Sequence, residues 1–66
     1  TFQEVAIRRY FICKKNGVLY FKTSETNARY WIMHKATWGE VTNEDLPKLG
    51  DVFIPSAEEL TERLDI

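Results

Sequence analysis

The sequence predicts a small α+β domain: an antiparallel sheet started by a β-hairpin, a helix packed on one face, one or two further short strands and a short C-terminal helix. Three observations carry this prediction. Two runs rich in β-branched and aromatic residues flank Asn16-Gly17, apolar residues recur at helical spacing from Ala28, and Ser56 precedes Glu59 by three positions. With 66 residues, the chain has room for one domain, spanning 1–66, with a thin margin of stability.

The hairpin is predicted over residues 4 to 23, because Asn-Gly is the dipeptide that most readily adopts positive φ in a tight turn. A two-residue loop would leave both faces of the hairpin mixed. A three-residue loop, residues 15 to 17 with Gly17 left-handed, pairs Cys13 with Leu19 and separates the side chains by type. We therefore expect the three-residue loop.

In that register the two faces of the hairpin differ in composition. The face expected to be buried carries Val5, Ile7, Phe11, Cys13, Leu19 and Phe21. The outer face interleaves cations with rings and carries Arg8, Tyr10, Ile12, Lys14, Val18, Tyr20 and Lys22. A slip of one residue would exchange the faces, so burial of the first set should enforce this pairing.

A helix is predicted from Glu25 to about Thr37, with Thr23 or Ser24 as its cap and Gly39 near its end. Its sheet-facing side would carry Ala28, Trp31, Ile32 and Ala36. The opposite side would carry Tyr30, Met33, His34 and Thr37. An apolar back on a helix usually indicates a further layer or a partner.

The last third of the chain predicts two short strands and a helix. Residues 38 to 42 and 51 to 54 favour strands, and turn-forming residues separate them. Pro55 ends the second strand, and Ser56 with Glu59 forms a capping box that starts the final helix. Leu60 and Leu64 give that helix a narrow apolar stripe.

Charge is divided unevenly along the chain. Residues 1 to 35 hold seven Lys or Arg against two acids, a net +5, whereas residues 36 to 66 hold two against eight, a net −6. Seven of the nine aromatic residues also lie in the basic part. The two halves either neutralise each other within the fold or present a surface that attracts a charged partner.

The side chains that carry catalysis are few. Cys13 lies on the face expected to be buried, His34 lies on the outer side of the predicted helix, and both serines are explained as helix caps. A structural zinc site needs four Cys or His ligands, whereas this chain has two, and the three glycines are too scattered for a phosphate-binding loop. We expect no enzyme, no cofactor and no metal.

The chain is expected to be cytoplasmic. Its longest apolar runs are far shorter than the ~18 residues of a membrane-spanning helix, which predicts no membrane partner. Charged residues interrupt the region where a signal peptide would need an apolar segment, and a single cysteine is typical of a reducing compartment.

Two functional hypotheses remain from the sequence. The first is a non-enzymatic protein–protein interaction module, an inhibitor or adaptor of a larger host or cellular protein. This hypothesis is favoured by aromatic residues, Met and Arg that have no place in the predicted core. Its partner-binding residues would be Arg8, Tyr10, Lys14, Tyr20 and Lys22 on the sheet, with Tyr30, Met33 and His34 on the helix.

The alternative is a single-stranded nucleic-acid-binding protein that uses the basic, aromatic outer face of the hairpin. A homodimer is a further expectation, because the stability margin is thin and the halves are opposite in charge. In size and in its order of hairpin, helix and strand, the chain is similar to small phage-encoded proteins that bind and block a host enzyme. The similarity is one of size and element order only, and it assigns no functional residues to this chain.

Overall fold

A computed structural model describes residues 1–64 and places an α-helix after a five-stranded antiparallel sheet with the strand order β4-β3-β2-β1-β5. The mixed α+β class is therefore confirmed. The elements are β1 Tyr10–Cys13, β2 Leu19–Lys22, β3 Ala28–Ile32, β4 Thr37–Val41, β5 Val52–Phe53 and α1 Ala57–Leu64, with 3-10 turns at Phe2–Glu4, Met33–Lys35 and Leu46–Leu49.

The hairpin is present, but the predicted three-residue loop is wrong. Phe11 pairs with Tyr20, which moves the register by one residue and leaves a four-residue loop, residues 14 to 17. The Gly17 amide donates to the Cys13 carbonyl at 2.8 Å, and Gly17 adopts a φ of 72°. Asn16 fixes the loop, because its Oδ1 accepts a hydrogen bond from the Val18 amide at 2.9 Å.

The shifted register corrects the predicted division of the faces. The face we call the core face carries Phe11, Cys13, Tyr20, Lys22 and Ala28 and packs against the 3-10 turns, with Phe2, Val5, Leu46 and Leu49. By alternation along the strands, Tyr10, Ile12, Leu19, Phe21, Trp31 and Trp38 lie on the opposite face, here called the helix face. Cys13 is buried, as the sequence predicted.

The helix predicted from Glu25 to Thr37 is wrong. This segment forms β3, a 3-10 turn and the start of β4. Ser24 does accept hydrogen bonds from the amides of Thr26 and Asn27, as a helix cap would, but the chain reverses there into a second hairpin. The β-favouring Tyr30 pairs with both β2 and β4, and Trp31 and Ile32 pair with β4, so strand pairing overrides the helical spacing.

The remaining elements follow the sequence. The two predicted strands are present as β4 and β5, and the final helix begins after Ser56, whose Oγ accepts from the Glu59 amide at 3.2 Å. The Trp31 indole donates to the Arg63 carbonyl at 2.8 Å, which fixes α1 on the helix face. Within residues 1–64, the hairpin–helix–strand order that resembled small phage-encoded proteins is absent.

Candidate protein-binding surface

The sheet residues predicted to form one flat binding face are divided among three environments. Tyr20 and Lys22 lie on the core face and are buried, with exposed fractions of 6% and 3%. Tyr10 is half-buried on the opposite face, and Lys14 is exposed in the hairpin loop. The one-residue change of register accounts for this division, since it sends alternate residues to opposite sides of the sheet.

Lys22 has a structural role that the sequence reasoning missed. Its Nζ donates to the carbonyl of Phe2 at 3.0 Å and to the carbonyl of Val5 at 2.8 Å, and it lies 4.2 Å from the centre of the Phe2 ring. These contacts hold the amino-terminal segment against the sheet. The sequence signal for them is indirect: two apolar residues, Phe2 and Val5, precede β1 in a segment that also contains Gln3 and Glu4.

Tyr20 is also part of the core. Its ring stacks on Phe11 with a centroid distance of 5.1 Å and an interplanar angle of 8°. Its hydroxyl accepts a hydrogen bond from Asn16 Nδ2 at 3.1 Å. Burial raises the pKa of the Tyr20 phenol, and the Asn16 hydrogen bond opposes that shift. The residue therefore stabilises the fold and is not available to a partner.

The other three predicted residues lie elsewhere. Tyr30 is half-buried on the core face next to Tyr20, where its ring occupies the space that a side chain at Gly39 would need. Met33 and His34 are exposed in the turn between β3 and β4, and Met33 has an exposed fraction of 63%. They do not form a surface with Arg8 or Tyr10.

Arg8 occupies a β-bulge at the start of β1. The Arg8 amide donates to the Lys22 carbonyl at 2.7 Å, while the Lys22 amide donates to the Arg9 carbonyl at 3.0 Å, so two residues oppose one. Arg8 has a φ of 66°, in the left-handed region that glycine normally fills in such a bulge. An L-residue in this region costs about 1 to 2 kcal/mol. The bulge redirects Arg8 and Arg9 away from the regular alternation of the strand.

The two arginines border two grooves beside β5. One groove, of about 340 Å³, lies between the amino-terminal segment and β5, and its lining includes Glu4, Val5, Ala6, Arg9, Phe53 and Ile54. The second, of about 250 Å³, is lined by Arg8, Arg9, Tyr10, Ile54, Pro55 and Leu60. Arg9 and Ile54 line both grooves. We call the set Arg8, Arg9, Tyr10, Phe53 and Ile54 the β5 surface.

The β5 surface combines exposed apolar side chains with cations. Ile54 has an exposed fraction of 59% and Phe53 one of 38%. Within the described residues, ion pairs join the amino-terminal ammonium to Glu4, Arg29 to Glu40 and Arg63 to Glu59, and none engages Arg8 or Arg9. Two guanidinium groups without an ion pair among residues 1–64 therefore lie next to an exposed aliphatic side chain, Ile54.

Tyr10 is held in place by neighbouring rings on the helix face. Its ring centre lies 4.8 Å from that of Phe21 and 6.2 Å from that of Trp38. Trp38 in turn lies 5.0 Å from Trp31. These rings pack against Tyr10 on one side of the β5 surface.

Three members of this surface, Arg9, Phe53 and Ile54, were not predicted. A signal for two of them is present in the sequence, because an apolar strand that runs directly into Pro55 belongs at the edge of a sheet, where its side chains are only partly covered. Arg9 carried no comparable signal, since the bulge that exposes it depends on the register of Lys22.

No three His, Cys, Asp or Glu side chains of residues 1–64 are grouped so as to hold a metal ion. No helix in the same range has the length and apolarity to cross a membrane. The chain matches no family model, and it has no significant match among curated proteins or among solved structures.

Proposed function

We propose that this chain is a non-enzymatic protein–protein interaction module, an inhibitor or adaptor, which binds an acidic and partly apolar segment of a larger protein at the β5 surface. The observation that carries the proposal is the conformation of Arg8. A strained non-glycine residue in a bulge costs stability, and such strain is typical of positions that serve recognition. Here it directs a cation toward the grooves beside β5.

The chemistry of the β5 surface suits an acidic protein segment. Arginine donates paired hydrogen bonds to a carboxylate, and Arg8 and Arg9 are adjacent, so together they offer two such sites. Phe53 and Ile54 add apolar area beside them. Arginine and aromatic residues around an apolar centre are the composition enriched at protein interfaces.

A protein partner fits better than a nucleic acid. Stacking of bases requires several exposed rings interleaved with cations. In the observed register Tyr20 and Lys22 are buried, so the alternation on which the nucleic-acid hypothesis depended is not formed. The most exposed apolar group of the β5 surface is the aliphatic Ile54, which offers no plane for a base.

The test is selection of a display library of random peptides on the immobilised chain. We expect the selected peptides to be enriched in Asp and Glu next to apolar residues. The double substitution Arg8→Gln with Arg9→Gln should abolish that enrichment. The matched control is Lys14→Gln with Lys15→Gln, which removes the same charge from the exposed hairpin loop and should leave the selection unchanged.

Two results would contradict the proposal. Selected peptides without acidic enrichment, or a loss of selection that is equal in the arginine and lysine variants, would show that the β5 surface is not the binding site. Binding of a single-stranded oligonucleotide at low salt that depends on Arg8 and Arg9, without any peptide binding, would assign the surface to nucleic acid instead.

A further inference from the structure

Resting on the proposed function, we propose that the acidic segment binds in extended conformation and pairs with the free edge of β5 as a sixth strand of the sheet. In this mode, backbone hydrogen bonds provide affinity and alternate side chains provide specificity. The proposal follows from the hydrogen-bonding pattern of β5, from the charges at the two edges of the sheet and from the shape of the groove.

The backbone of β5 has hydrogen-bonding groups directed away from the sheet. Cys13 pairs with Val52, and the Lys14 amide donates to the Asp51 carbonyl at 3.0 Å. In an antiparallel ladder the residues that bond to the neighbouring strand alternate with residues that do not. The backbone amide and carbonyl of Phe53 are therefore directed toward Ile12 of β1. Those of Val52 are directed toward the free edge, and continued alternation directs those of Ile54 the same way.

The sheet has a second free edge, at β4, and charge distinguishes the two. β4 carries Glu40 and leads into Glu44 and Asp45, so this edge repels an acidic segment. The β5 edge has Arg8 and Arg9 beside it, together with Glu4 and Asp51, and Glu4 is ion-paired with the amino-terminal ammonium. Because no ion pair among residues 1–64 engages the two arginines, an acidic segment is expected to pair at β5, although β4 is the longer strand.

The groove of about 340 Å³ beside β5 is lined on one side by Val52, Phe53 and Ile54. Its far wall is the amino-terminal segment, which Lys22 holds to the sheet through the carbonyls of Phe2 and Val5. An added strand lies about 4.8 Å from its neighbour. A segment in this position would pass between Val52 and Ala6, with Arg9 next to it for contact with an acidic side chain.

The experiment uses an acidic peptide taken from the selection described above. Amide hydrogen exchange of the chain is measured by NMR with and without the peptide. We expect the amides of Val52 and Ile54 to exchange at least about tenfold more slowly in the complex, because each becomes a donor to the added strand. The amide of Phe53, already directed toward β1, is the internal control and should change much less.

N-methylation of the peptide supplies an independent measurement. Methylation of successive amides should weaken binding at alternate positions only, about tenfold at each sensitive position, because only every second amide of a strand faces its neighbour. If N-methylation weakens binding without a period of two residues, the strand model is wrong. It is also wrong if the peptide slows amide exchange at Trp38 and Glu40 of β4 and not at Val52 and Ile54 of β5. In both cases arginine-dependent peptide binding would persist, so the proposed function would survive the failure of the inference.

A second copy of the chain is the other occupant that this edge could pair with. If the amides of Val52 and Ile54 are already protected without peptide and the chain sediments as a dimer, the edge belongs to a homodimer and the proposal is overturned. A monomer with exchanging amides at both positions is the result we expect.

Discussion

The Arg8 amide donates a hydrogen bond to the Lys22 carbonyl, yet the side chains of these two residues have opposite roles. The Lys22 ammonium is buried and donates to two carbonyls of the amino-terminal segment. The side chains of Arg8 and Arg9 take part in no ion pair among residues 1–64. The fold uses the Lys22 cation for its own stability, whereas the exposed Arg8 and Arg9 remain suited to bind a partner.

This difference shows that charge type alone does not identify a binding residue. A buried lysine is tolerated when backbone carbonyls replace its hydration, and Lys22 meets that condition. The left-handed backbone conformation of Arg8 reduces the stability of the fold, and no ion pair of its side chain among residues 1–64 compensates for this loss.

The largest effect is expected for Lys22→Met. The substitution keeps the length of the side chain but leaves the Phe2 and Val5 carbonyls without their donor, so the free energy of unfolding should fall by about 3 kcal/mol. Urea denaturation measures it. Lys14→Met, at an exposed position, is the control and should change stability by no more than about 0.5 kcal/mol. Equal effects of the two substitutions would show that Lys22 does not anchor the amino-terminal segment.

A smaller loss is expected for Phe2→Leu. This change retains the Phe2 carbonyl but removes the ring that lies 4.2 Å from Lys22 Nζ and 5.8 Å from the Phe11 ring. We expect a loss of about 1 to 2 kcal/mol, because both aromatic interactions disappear while most apolar burial remains. If Phe2→Leu and Lys22→Met combine additively in a double-mutant cycle, the ring and the ammonium do not interact, contrary to the structure.

Tyr20→Phe tests the inward orientation of the hairpin through pH dependence. Burial raises the pKa of the Tyr20 phenol above its ordinary value of 10.0, so the folded state holds this proton more tightly than the unfolded chain. The stability it supports is present below pH 10.0 and is lost as pH rises through the folded-state pKa. Wild type should lose stability with rising pH more steeply than Tyr20→Phe in this range, and equal slopes would contradict the burial.

At neutral pH the same substitution removes the hydrogen bond between the Tyr20 hydroxyl and Asn16 Nδ2. We expect it to reduce the free energy of unfolding by about 1 kcal/mol, which urea denaturation measures. If the Tyr20→Phe variant is as stable as wild type at neutral pH, the contact with Asn16 contributes nothing to the stability of the fold.

Much of the fold was predictable from local signals. Asn16-Gly17 predicted the hairpin because Gly17 does adopt positive φ, and Ser56 predicted the final helix because its Oγ does accept from the Glu59 amide. The strands β4 and β5 followed from β-favouring residues between turns. These signals act over a few residues, so they are readable without the rest of the structure.

The proposed binding surface was not predictable in the same way. The register depends on a four-residue loop and on Lys22, whose burial becomes favourable only when the amino-terminal segment supplies carbonyls. The segment 25–37 has both a helical spacing and a β-favouring composition, and the pairing with β2 and β4 decides between them. The hairpin register and the strand structure of residues 25–37 both depend on contacts between parts of the chain that are distant in sequence.

The measurement that most directly tests the central claim is the effect of Arg8→Gly on stability and on peptide binding together. Glycine relieves strain of about 1 to 2 kcal/mol but loses about 0.5 to 1 kcal/mol to its greater freedom when unfolded, so the free energy of unfolding should rise by about 0.5 kcal/mol. Affinity for the selected acidic peptide should fall about tenfold, because one charge-assisted contact is lost.

Arg9→Gly is the matched control, since it removes the same charge where no positive φ exists and should lower both stability and affinity. Opposite stability changes in the two variants, with weaker binding in both, are what we predict. Unchanged affinity in Arg8→Gly would contradict the account, because the strain at Arg8 would then serve no partner.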